Sequence, residues 1–226
     1  STLPVPVLIQ LESAKQRLSW AARVQAAERA QGWVISEVEW AVDKDPDTQL
    51  PTWSIDGMPI SFKIDRIDRH ESSGEIRVLD YKTSDKALPP ADTHLDKLRL
   101  GQGESEFPDW ALRARTEGKP MRWTNLQLPL YILALREKYP DAATTKITTG
   151  LFKLPKAATE TKIDLWEDLD RGTLESAQQC ASGVIGSIRE QRFWPPAPSR
   201  HAPSWDPFKK LFFDDPLAAV RAPGPA

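Results

Sequence analysis

An α/β fold built around a mixed sheet is the class this sequence predicts, and three observations carry it. The order of patterns along the chain is helix, strands, helix, strand, helix, which calls for a layered α/β core. Two runs rich in β-branched and apolar residues, 62–67 and 75–81, flank the turn-forming Glu71-Ser72-Ser73-Gly74 and read as an antiparallel hairpin. Residues 123–139 form a helix that is apolar nearly all round, as a buried helix should be.

Composition narrows the class further. The chain has 226 residues, of which 40% are hydrophobic and 27% charged, enough to bury the core of one soluble globular domain. A net charge of −2 supplies no overall attraction for phosphates, so any contact with nucleic acid must come from a local patch. No apolar run approaches the length of a membrane span, and no basic segment leads into a hydrophobic one at the start, which predicts a cytoplasmic protein with no membrane partner. The single cysteine, Cys180, excludes an intrachain disulfide and any cysteine-built zinc or iron–sulfur site. Trp20, Trp33, Trp40, Trp123, Trp166 and Trp194 are expected in or beside the core.

In chain order, residues 1–8 read as an extended leader and 11–31 as a helix that Gly32 ends. The strand 33–42 follows, with Glu37 and Glu39 on one face and Val34, Val38 and Trp40 on the other. A polar turn at 43–48 and a short strand around Asp56-Gly57 lead into the hairpin. Residues 85–122 read as a long insertion or lid, helical only at 110–115. Lys97, Arg99, Arg113, Arg115, Lys119 and Arg122 lie there with Trp110 and Trp123, either as a solvated loop or as a surface that follows a nucleic-acid strand. The helix 123–139 stops at Pro140, with Thr124 and Gln127 at capping-box spacing; Gln127 and Tyr131 share one of its faces. Strands are expected at 146–154 and 162–166 and a helix at 173–191, ended by Phe193-Trp194-Pro195-Pro196. The tail from Ala197 on should pack back through Trp205, Phe208, Leu211 and Phe212.

Alternation along the hairpin places Asp80 and Lys82 on one face with Ile76 and Val78. On the other strand Asp65 and Asp68 point to opposite sides, so only one of them can meet Asp80. Carboxylates that continue an apolar face are costly unless paired or bound to metal. Two of them beside a lysine suit a hard divalent cation and phosphodiester chemistry, although an Asp80–Lys82 surface ion pair would satisfy the same spacing.

Four stretches in this order, EVEW at 37–40, IDRID at 64–68, LDYKTS at 79–84 and QLPLY at 127–131, resemble the RecB-like nucleases of the PD-(D/E)xK superfamily, as in the nuclease domains of RecB and AddB helicase–nucleases. The resemblance spans about 33–139, and the FWPP segment at 193–196 is similar to the family's C-terminal signature. It implies a restriction-endonuclease-like core, a central mixed sheet flanked by helices. It further implies a DNA nuclease of recombination or repair, an exonuclease using Mg²⁺ or Mn²⁺. Asp65 and Asp80 correspond to the metal-binding carboxylates, Lys82 to the catalytic lysine, and Gln127 and Tyr131 to the helix motif lining the site. Glu37 fits the earlier acidic residue, with Glu39 as its rival, and Arg66 and Asp68 are left as a structural ion pair. The chain departs from the pattern at Phe62, where many relatives have glycine, in lacking a histidine on the first helix, and in carrying His201 and Trp205 where AddB-type relatives hold iron–sulfur cysteines. The expected organisation is a single domain over 1–226, with a helix at 1–32, a core at 33–170 interrupted by the insertion at 85–122, and a helix and tail at 171–226. Such a domain is expected to belong to a larger repair protein, with DNA and a helicase as partners; a nuclease-like domain that binds without cutting is the alternative.

Overall fold

The computed structural model describes residues 4–84, 88–98, 107–113, 120–139 and 146–192. The expected aromatic tail, Trp194, and the basic residues Arg99, Arg115 and Lys119 lie outside them. The chain falls into two compact units, Ser1–Gly183 and Val184–Ala226.

Helix α1 (Val5–Ala30) begins six residues earlier than the sequence suggests, absorbing the second half of the expected leader. Pro4 and Pro6 do not oppose this, because the first turn of a helix has no intrahelical use for their missing N–H groups. Strand β1 (Trp33–Ala41) follows, then the two-residue strands β2 (Ser54–Ile55) and β3 (Met58–Pro59). Asp56 and Gly57, both at positive φ (49° and 72°), join these as a tight hairpin turn must. The main hairpin is β4 (Lys63–His70) and β5 (Ile76–Lys82), antiparallel in the register Ile67↔Val78.

The insertion is not a bare loop. Its described residues form β6 (Leu95–Lys97), β7 (Leu112–Arg113) and β8 (Met121–Trp123), a small sheet in the order β6-β8-β7. The helix expected at 110–115 is a single 3-10 turn, Asp109–Ala111, leading into β7. Helix α2 (Gln127–Lys138) starts four residues later than expected, since Trp123 is paired with Leu95 in the small sheet. Strands β9 (Ile147–Lys153) and β10 (Lys162–Leu165) and helix α3 (Arg171–Arg189) complete the order.

The main sheet runs β1-β4-β5-β9-β10, with β5 and β9 parallel and the other pairs antiparallel. It is the mixed sheet the sequence predicts, flanked by helices, and consistent with a restriction-endonuclease-like fold. Ile67, Ile76, Val78 and Leu151 pack with Leu128, Tyr131 and Leu135 of α2 and with Leu95, Trp123 and Trp166 in the apolar core. Gly150 lets β10 approach, because a Cβ there would overlap the Asp164 and Leu165 backbone. The insertion is tied down on α3: Trp123 Nε1 donates to Ser176 Oγ at 3.0 Å, Arg113 Nη2 donates to Thr173 Oγ1 at 2.5 Å, and Trp110 lies where a side chain on Gly183 would stand.

The opposite face of the hairpin is a buried charge cluster. Arg66 holds Asp68 in a two-point bond (2.5 and 2.8 Å), and Arg77 bridges Asp68 at 2.8 Å and Glu28 of α1 at 2.7 Å. Gln25 of α1 also accepts from Arg66, and the two guanidinium groups lie over Phe152 and Trp33. The structural reading of Arg66 and Asp68 is thus borne out, extended to four charges that balance. Asp68→Ala would leave two buried guanidinium groups short of a counter-charge and should lower unfolding free energy by about 3–5 kcal/mol in urea titration.

Candidate active site

The register decides which aspartate meets Asp80. Asp65 lies two residues before Ile67 and Asp80 two after Val78, so both occupy the α2 side of the sheet, opposite each other, while Asp68 faces α1. Pairing stops at Arg66↔Leu79; beyond it Asp65 Oδ2 accepts the Tyr81 N–H at 2.8 Å, a carboxylate standing in for the ladder's carbonyl.

Asp80 is 3% exposed. Its Oδ1 accepts a hydrogen bond from Gln127 Nε2 at 2.7 Å, while the buried Oδ2 is ion-paired with the Lys82 ammonium 2.6 Å away. Burial above all, and the charge of Asp65, push the Asp80 carboxyl above the usual aspartate range against the pull of Lys82. The Lys82 side chain is 36% exposed.

Gln127 is the first residue of α2, not a capping-box glutamine. Asn125 Oδ1 accepts its backbone N–H at 2.8 Å, and Thr124 bonds instead to the His94 carbonyl. The Gln127 side chain is therefore free to point at the sheet. Its carboxamide donates to Asp80 and to Tyr131 Oη (2.8 Å), and Tyr131 donates onward to the Lys63 carbonyl at 2.9 Å. Burial raises the Tyr131 phenol, which stays a neutral donor. Phe62 packs on the Tyr131 ring with centroids 5.1 Å apart, using the position where glycine was the expected residue.

Glu37 is placed elsewhere. Lys138 Nζ donates to both its oxygens at 2.7 Å and Tyr139 Oη at 2.6 Å, and these bonds outweigh burial to lower its carboxyl. The face assignment on β1 needs correction: Glu37 and Trp40 both meet Lys138, whose ammonium lies 4.4 Å from the Trp40 ring centre, while Val38 is 63% exposed. A bulge between Ile35 and Glu37 and the positive φ of Glu39 (51°) break strict alternation on this edge strand. Glu39 is exposed and paired with Lys63 at 2.9 Å. Among the described residues no group of three or more His, Cys, Asp or Glu side chains converges as a metal cage. Arg122 is engaged by Asp96 at 3.4 Å and Arg113 by Thr173, so the described arginines of the insertion serve the fold.

Two residues of the site's support carry weak sequence signals. Asn125 is an N-terminal helix residue by type, which marks the true start of α2. His94 has no motif around it; it is fully buried, and burial lowers its pKa to about 4.

Two carboxylates and a lysine lie on one sheet face, steadied by a half-buried glutamine and a buried tyrosine, and oxygen donors of this kind suit a hard cation. The family model described as the PD-(D/E)XK nuclease superfamily matches residues 6–205, and the chain belongs to that superfamily. No curated protein and no solved structure gives a significant match.

Because the raised Asp80 carboxyl is stabilising only when protonated, its share of stability is present below the ordinary aspartate pKa and lost as pH rises through its folded value. At pH 7 the ionised group is a cost. Asp80→Asn should melt at the same temperature as wild type or higher at pH 7 without metal, and gain nothing from added Mn²⁺, whereas wild type should gain.

Proposed function

We propose that this chain is a divalent-metal-dependent DNA nuclease of the RecB-like type, an exonuclease acting in recombination or repair. The carrying observation is the juxtaposition of two carboxylates on one face of the sheet, Asp65 and the buried Asp80, with the Lys82 ammonium 2.6 Å from Asp80 Oδ2. The hard oxygen donors fit Mg²⁺ or Mn²⁺, which Asp65 and Asp80 would hold. When bound, such an ion supplies Lewis acidity and lowers the pKa of water. Gln127 fixes the rotamer of Asp80 through Nε2, and Tyr131 holds Gln127 against the β4 backbone. Lys82, partly exposed, orients the attacking water and offsets charge gathering on the phosphate. In this reading the domain sits within a larger cytoplasmic repair protein, whose helicase would feed it a DNA end, and carries no iron–sulfur cluster.

A second reading, binding of DNA or a helicase without cleavage, is favoured by Glu37, which is committed to Lys138 and Tyr139. Cleavage assays on linear and circular DNA, single- and double-stranded, with Mn²⁺ separate the two. The nuclease reading expects linear substrates to be degraded and circles spared. Lys82→Ala should reduce the rate roughly 100-fold or more with an unchanged melting temperature, and Asp65→Asn should weaken Mn²⁺ binding in calorimetry. Inert wild type that still binds DNA would establish the second reading.

A further inference from the structure

His94 lies outside the donor set, yet it joins three parts of the molecule. Its Nδ1–H donates to the Pro90 carbonyl at 2.8 Å, with Thr93 Oγ1 also 2.8 Å away. That leaves Nε2 as the acceptor, and it faces the Leu128 N–H at 3.4 Å. Its own carbonyl accepts the N–H groups of Thr124 (2.9 Å) and Asn125 (3.3 Å) and the Thr124 hydroxyl (3.1 Å). The ring packs on Trp166, centroids 5.0 Å apart.

The first N–H groups of a helix have no partner within the helix. In α2, Asn125 takes the one from Gln127 and His94 the one from Leu128, so two side chains set the rotation and depth of the turn that carries Gln127. The Gln127 carboxamide must in turn meet Asp80 at 2.7 Å and Tyr131 at 2.8 Å. An imidazole suits the task because one nitrogen donates while the other accepts, which requires the neutral ring, and burial keeps it neutral down to about pH 4.

We propose that His94 is a positioning residue for the reaction: through Nε2 it holds the first turn of α2 so that Gln127 orients Asp80. The proposal rests on the nuclease reading for its effect on rate, but the placement of Gln127 can be observed without cleavage.

Two substitutions divide the imidazole between its nitrogens. His94→Asn keeps a donor near Pro90 and loses reach to Leu128; His94→Gln keeps an acceptor within reach of Leu128. In folded protein, His94→Asn should lower kcat about 10- to 100-fold with little change in KM, as expected for a misplaced catalytic group, and His94→Gln should recover most of it. In a Gln127→Ala background His94→Asn should cost nothing further, because the effect runs through Gln127. The ¹⁵N spectrum gives the activity-independent arm: the Gln127 side-chain amide signals should move toward free glutamine in His94→Asn and stay near wild type in His94→Gln. If His94→Asn does not fold, the Gln127 amide signals in His94→Gln and His94→Leu decide the matter by the same comparison. Unmoved Gln127 signals in a folded variant lacking the Nε2 acceptor would overturn the proposal, as would an equal further loss in the Gln127→Ala background. Wild type that cleaves nothing would sink the nuclease reading alone, with the spectra still deciding the role of His94.

Discussion

The arrangement depends on keeping one ionisable carboxyl, Asp80, almost wholly out of water. Its burial raises the energy of the ionised form, and the neighbouring charge of Asp65 raises it again. Lys82, at Oδ2, and Gln127, at Oδ1, offset this only in part, so the carboxyl stays above its usual range. Such a group persists because the elements around it are held by other means: β5 by β4 and β9 on either side, and α2 by an apolar face carrying Leu128, Ile132 and Leu135. Strain of this kind is concentrated at functional sites and compensated elsewhere.

The two faces of the β4–β5 hairpin treat charge differently. Toward α1, Arg66 and Arg77 balance Asp68 and Glu28, and multiple hydrogen bonds satisfy the buried groups. Toward α2, Asp65 and Asp80 face one lysine, so the local sum is negative. A balanced buried cluster holds two layers in register, whereas an unbalanced one attracts a cation. Strand parity separates these tasks, since residues one apart cannot share a face.

Much of this was legible in the chain. The runs on either side of Gly74 mark the hairpin, and the two-residue spacing of Asp80 and Lys82 places them on one face whatever the surroundings. Where strict periodicity was assumed, it misled. Glu37 and Trp40 meet the same lysine because a bulge and a left-handed residue rotate β1, and neither has a local signature in the sequence. Trp123 and Thr124 look helical in an apolar window, yet the pairing of Trp123 with Leu95, distant in sequence, draws them into a small sheet and frees Gln127 for the site.

The sequence by itself determined the element types of the main sheet and its flanking helices, the mixed-sheet class and the residue kinds that can bind a hard cation, because these follow from side-chain periodicity and donor chemistry. Only the tertiary structure decided that Asp65 rather than Asp68 faces Asp80, that Gln127 bonds to it, that Glu37 is held by Lys138, and that His94 secures α2. Each of these depends on register, or on a contact between segments far apart in the chain. No local pattern encodes such contacts, since they exist only once the sheet has paired and the helix has docked.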